Sequence, residues 1–206
     1  MEKVREHWNL TSSKYQKKHK ISTDYVHFGT SCPTEDDLNL LGNVKDKKII
    51  ELGFGGAQCS IALSKRGAIC TVIDLSEEQL KFTKKLAKKV NVDIKLIQGD
   101  IQNLDMISDD SFDIAFSAVA FCWVQNLQAV FQETRRVLKN RGIFVFSTEH
   151  PIWARLGDKP EDLTIKSSYF KRTELYKESS GITIEFYIPT FSDIIIGLIE
   201  TGFEMV

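Results

Sequence analysis

Three acids and a run of glycines stand where they could hold a nucleotide. Glu51-Leu52-Gly53-Phe54-Gly55-Gly56-Ala57 continues the apolar run begun by Ile49 and Ile50. Asp74 ends the next apolar run, Cys70 to Ile73, and Gly99-Asp100-Ile101 follows a third, Ile94 to Ile97. Glycines let backbone pass close to a ligand, and a helix opening out of them offers unpaired N–H groups. An acid on the neighbouring strand can then hold both hydroxyls of a ribose. A dinucleotide-type G-x-G-x-x-G pattern starting at Gly53 and Gly55 needs glycine or alanine at Gln58 and fails there. Two histidines are candidates for proton transfer. His150, just after a fifth apolar run, is the better placed general base, and His27, upstream of the first run, is the second. The alternative for His150 is a ring bonded to backbone at a strand end.

These residues converge only if the runs between them are strands of one sheet. Ile49 to Leu52, Cys70 to Ile73, Ile94 to Ile97, Phe112 to Ala118 and Ile143 to Phe146 read as strands. Between them, Gln58 to Arg66 closed by Gly67, a segment from Ser76 to about Val90, and Gln125 to Leu138 ended by Asn140-Arg141-Gly142 read as helices. Ser76 and Gln79 have the spacing of a capping box. This alternation predicts an α/β, doubly wound, mostly parallel sheet with helices on both faces. Ligands would bind beyond the strands' carboxyl ends, so Gly53, Asp74, Asp100, Ser117 and His150 should share one edge.

Residues 1–45 are expected to form a helical lid segment. Val4, Trp8 and Leu10 suit a short amphipathic helix, a lysine-rich polar run follows from Thr11 to Lys20, and Glu35 to Leu41 suits another helix. Tyr25, His27 and Phe28 either fold over the site or pack on the core. Residues 46–206 make up the main domain. Within it, residues 151–189 lose periodicity and become aromatic, which predicts a cover over an acceptor site with a strand at residues 182–186. Ser192 to Thr201 reads as a helix capped by Gly202, and Phe203 to Val206 as the start of another strand. Trp123, just after the fourth strand, either lines the acceptor pocket or packs in the core.

The 206 residues carry 27 basic and 28 acidic side chains, net charge −1, so no bulk attraction to nucleic acid is implied. Lys14 to Lys20 and Lys81 to Lys89 read as solvated faces, though a local basic groove stays open. The four cysteines, Cys32, Cys59, Cys70 and Cys122, include no C-x-x-C pair and are expected buried and reduced, with no metal role. The polar amino-terminal end and the lack of a long apolar run predict a cytoplasmic protein with no membrane partner.

Glu51-x-Gly53-x-Gly55, Asp74 after the second strand, Gly99-Asp100 after the third, Phe112-Asp113 opening the fourth and Arg136-Val137-Leu138-Lys139-x-x-Gly142 before the fifth occur in the order found in class I S-adenosylmethionine-dependent methyltransferases. The chain resembles that family from Lys47 to about Glu149, most of all the small-molecule enzymes similar to the ubiquinone-biosynthesis methyltransferases. The resemblance implies the Rossmann-like methyltransferase fold and S-adenosylmethionine as cofactor. It places Gly53 and Gly55 at the methionine part, Asp74 at the ribose, Asp100 and Ile101 at the adenine, and Ser117 near the methionine amino group. Glu51, Phe54, Ala57 and Leu75 join the cofactor-binding set, while Tyr25 and Trp123 are assigned to the acceptor pocket. Helix capping for Asp74 and a turn role for Asp100 are the alternatives. Ala57 departs from the family's third glycine, and the antiparallel hairpin that closes the family's sheet would be incomplete at Val206. The acceptor implied is a small molecule. Transfer-RNA methylation, a cofactor-binding module without catalysis and a nicotinamide-dependent oxidoreductase are the rival readings.

Overall fold

The computed structural model describes residues 1–29, 32–156, 162–177 and 181–206. Five strands, β1 (Lys48–Leu52), β2 (Ile69–Asp74), β3 (Lys95–Gln98), β4 (Phe112–Ala118) and β5 (Leu138–Ser147), pair in parallel in the order β3-β2-β1-β4-β5. The chain enters at β1 in the middle, winds outward to β3, and then crosses to β4. That reversal opens a crevice at the carboxyl ends of β1 and β4, where open α/β sheets bind ligands.

Alternation along each strand sends side chains to two apolar layers. Ile50, Leu52, Ile73 and Ala115 pack on one face with Val130 and Phe131 of α5 (Leu127–Val137) and Leu198 of α6 (Phe191–Glu200). Ile49, Cys70, Ile114 and Phe116 pack on the other with Ala62 and Leu63 of α3 (Gln58–Lys65) and with Val26 and Phe28. A parallel sheet covered on both faces follows, as its unbroken apolar strands require. Helix α4 (Glu77–Lys89) joins β2 to β3, and its five lysines, Lys81, Lys84, Lys85, Lys88 and Lys89, are all exposed.

Several boundaries differ from those the sequence suggests. The amino-terminal segment is one helix, α1 (Glu2–His19), and not a short helix followed by a polar run; Thr11, Ser12 and Gln16 of that run are buried. Helix α2 (Glu35–Leu38) stops before Leu41 because Asn39 turns into the left-handed region at φ 49°. Ser76 accepts from the Gln79 N–H at 3.2 Å and caps α4, but the Gln79 side chain bonds to α1 instead of completing the box. Asn140-Arg141-Gly142 do not end α5. The helix passes directly into β5 at Leu138, and the register slips between Phe112↔Leu138 and Ile114↔Ile143 with Arg141 at φ 62°. Cys32 is exposed, whereas Cys59, Cys70 and Cys122 are buried, and all four thiols are free.

In the expected cover, residues 157–161 and 178–180 lie outside the described residues. The rest contains an antiparallel hairpin of β6 (Thr173–Lys177) and β7 (Thr183–Tyr187), separate from the main sheet, of which only the second strand was expected. Buried Arg155 ties the segment together, pairing with Glu174 at 2.9 Å and donating to the Lys171 carbonyl. Residues 203–206 form no strand; the Phe203 ring packs 5.5 Å from that of Phe144. No helix among the described residues is long and apolar enough to cross a membrane.

Candidate functional site

At the end of β1 the chain turns through Gly53 at φ 69° and Gly55 at φ 55°. A Cβ on Gly53 would lie 2.5 Å from the Cβ of Ala120, so only glycine lets these segments approach. Ala57, in the position of the family's third glycine, also takes a left-handed conformation, φ 53°, as the residue capping α3. That costs an L residue roughly 1–2 kcal/mol. Beyond the turn opens a cavity of about 580 Å³, within the ~300–1,000 Å³ usual for small-ligand sites. Its floor is Glu51, Gly53, Phe54, Gly55, Asp74, Leu75, Gly99 and Ile101, and its roof includes Trp8, Tyr15 and Gln16 of α1 and Phe186 of β7.

Two of the acids are held by backbone. Glu51 is buried and accepts from the Ser60 N–H at 3.0 Å and from the Ser60 hydroxyl; burial outweighs these bonds and pushes its carboxyl up to about 7. Asp74 accepts from the Gly55 N–H at 3.0 Å through one oxygen and from the Ser76 N–H at 2.9 Å through the other. It therefore pins the glycine turn to the end of β2 and holds Ser76, the residue that caps α4, while burial raises its pKa to about 6. Both residues line the cavity.

Four residues expected at the site stand elsewhere. The Asp100 carboxylate accepts from the Gln102 N–H at 2.9 Å and its side-chain amide at 3.0 and 3.1 Å, while its neighbours Gly99 and Ile101 line the cavity. Ser117 is fully buried and donates to the Leu52 carbonyl at 2.8 Å, a tie between β4 and β1; the wall there is Ala118, Val119 and Ala120. Ala57 is buried behind the turn and is not part of the wall. His150 is exposed, with its ring 4.9 Å from Phe191 and its Nδ1 accepting from the Ile152 N–H at 3.3 Å. Successive residues of an extended chain face opposite ways, so the neighbour Glu149 lines the cavity in its place. His27 does line it, half-buried, with burial lowering its pKa. Tyr25 and Trp123 line it as well, Trp123 in an edge-on cluster with Trp8 at 5.6 Å, Tyr176 at 5.3 Å and Phe186 at 5.2 Å.

The sequence also concealed what holds α1 over the site. Gln16 donates to Gln79 at 3.1 Å and accepts from Gln58 at 2.7 Å, so three buried glutamines join α1, α3 and α4 beside the glycine turn. Asn9 donates to Glu77 at 2.7 Å and accepts from the Ser76 hydroxyl at 2.7 Å, and Arg5 pairs with Glu77. Isolated polar residues give no periodic signal, which is why this fastening was not legible.

S-adenosylmethionine suits these residues: the backbone at Gly53 leaves no room for a side chain, and Asp74 presents a carboxylate beside it. Residues 50–146 match the family model described as a methyltransferase domain. An uncharacterized Bacillus subtilis methyltransferase, YbaJ, is 34% identical over 109 residues, which cover 53% of this chain and 43% of that protein. A ubiquinone biosynthesis O-methyltransferase of Actinobacillus pleuropneumoniae is 28% identical over 106 residues, covering 50% of this chain and 45% of its own. The chain thus spans less than half the length of these two relatives. The crystal structure of an S-adenosylmethionine-dependent methyltransferase from Mesorhizobium loti superposes with a TM-score of 0.71 at 27% identity, covering 82% of this chain and 79% of the other. Fold, cavity and relatives agree that residues 50–146 are similar to the class I S-adenosylmethionine-dependent methyltransferase domain.

Proposed function

We propose that the protein transfers a methyl group from S-adenosylmethionine to a small-molecule acceptor by in-line displacement. The observation that carries this reading is the cavity of about 580 Å³ beneath α1 and β7, a size suited to a cofactor and a compact acceptor. A relative named for ubiquinone biosynthesis supports the same acceptor class. The bound cofactor supplies a methyl group already activated on a sulfonium. The protein's task is alignment, worth roughly 7–11 kcal/mol of such a barrier. In this reading Asp74 holds the ribose and Gly53 and Gly55 flank the methionine part. Gly99 and Ile101 border the adenine, and His27 lines the cavity as a candidate for proton transfer.

Calorimetry with S-adenosylhomocysteine tests the cofactor half: wild type should bind, and Asp74→Ala should bind at least tenfold more weakly. The acceptor half is tested by following S-adenosylhomocysteine formation against a panel of metabolites and against total RNA. Turnover with RNA alone would overturn the small-molecule reading.

A further inference from the structure

We infer that the acceptor site takes an amine, a cationic group on a flat apolar body, with Glu149 as its anchor. The inference rests on the methyltransferase reading and names the substrate class of that site. Asp74, at the end of β2, and Glu149, just beyond β5, lie three strand positions apart in the sheet, about 14 Å at the usual spacing. With the ribose at Asp74, Glu149 belongs to the opposite, acceptor half of the cavity.

The carboxylates on the wall differ in what already occupies them. Glu51 is bonded to Ser60, and Asp74 to Gly55 and Ser76. Glu149 has no hydrogen-bond or ion-pair partner among the described residues, although it is half-buried; its charge is felt by the buried Cys122 thiol, which it helps push up after burial itself. A carboxylate on the cavity wall that no described residue pairs is open to a ligand cation.

Next to Cys122 stands Trp123, with Trp8 and Phe186 within 5.6 Å of it, centroid to centroid. Trp8, Trp123 and Phe186 line the same cavity as Glu149, and aromatic faces favour a cation over an anion through the ring quadrupole. The basic side chains of the same wall, His19 and Lys20 at the end of α1 and His27 upstream of β1, form no hydrogen bond or ion pair with Glu149 among the described residues.

Binding of 2-phenylethylamine, 2-phenylethanol and phenylacetate is measured by calorimetry at pH 7.5, with and without S-adenosylhomocysteine. The amine should bind at least tenfold more tightly than the alcohol, and phenylacetate weakest. Glu149→Gln should abolish the preference for the amine, Glu149→Asp should keep part of it, and both should bind S-adenosylhomocysteine as wild type does. Equal binding of amine and alcohol, an amine preference that survives Glu149→Gln, or weakened S-adenosylhomocysteine binding in Glu149→Gln would each overturn the inference. Failure of wild type to bind S-adenosylhomocysteine would instead sink the methyltransferase reading, and the titrations without it would still decide the amine preference.

Discussion

Glu51 and Asp74 are acids whose environment favours the protonated form. Their folded pKa values, about 7 and about 6, exceed those of an unfolded chain, so the stability they confer is complete below about pH 4. It is lost as pH rises through 6 and 7. For Glu51 the loss is on the order of 3 kcal/mol. The urea midpoint of the ligand-free protein should therefore fall between pH 5 and pH 8, and Glu51→Gln, which still accepts from Ser60, should flatten most of that slope. An unchanged slope in the variant would place the cause elsewhere. At this scale the sequence was legible where position follows from a strand end: Glu51, Gly53 and Asp74 lie together because β1 and β2 are neighbours in register, Leu52 opposite Ile73. It was not legible where one step of alternation decides. Glu149 and His150 differ by one residue, and Ser117 is spent on the Leu52 carbonyl, a partner no spacing reveals.

Among the elements, α1 departs furthest from its pattern. An apolar stripe would have announced a docked helix, but Gln16, Asn9 and Arg5 hold it through polar contacts. Buried amides of this kind are costly when a partner is lost. Gln16→Ala leaves Gln58 and Gln79 without their shared neighbour and should cost about 1–3 kcal/mol. Hydrogen exchange would localise the effect: faster exchange in α1, unchanged protection in β1 and β4. Uniformly faster exchange would show that α1 opens only with global unfolding. The helix–strand junction at Val137 and Leu138 was illegible for a related reason. Asn140-Arg141-Gly142 has the composition of a helix stop, yet pairing of Leu138 with Phe112 draws the chain into the sheet before the stop is reached.

For the molecule as a whole, the parallel sheet was the most legible part, since β1, β2 and β4 are apolar on both faces and the segments between them carry helix caps. The hairpin of β6 and β7 was half legible, because β6 alternates Thr173, Leu175 and Lys177 with Glu174 and Tyr176 and shows no continuous apolar run. What the assembled parts imply about turnover follows from the roof. On the proposed function, α1, which lines the cavity and is tied to two other helices, would have to yield before spent cofactor leaves, and such rearrangements are often slower than bond breaking. Rapid-quench measurements with a competent acceptor should show one equivalent of product formed quickly, then a slower steady phase. Arg5→Ala, which cuts a tether remote from the reacting groups, should quicken only that second phase. The sequence would then set the tempo through a guanidinium that stands outside the cavity wall.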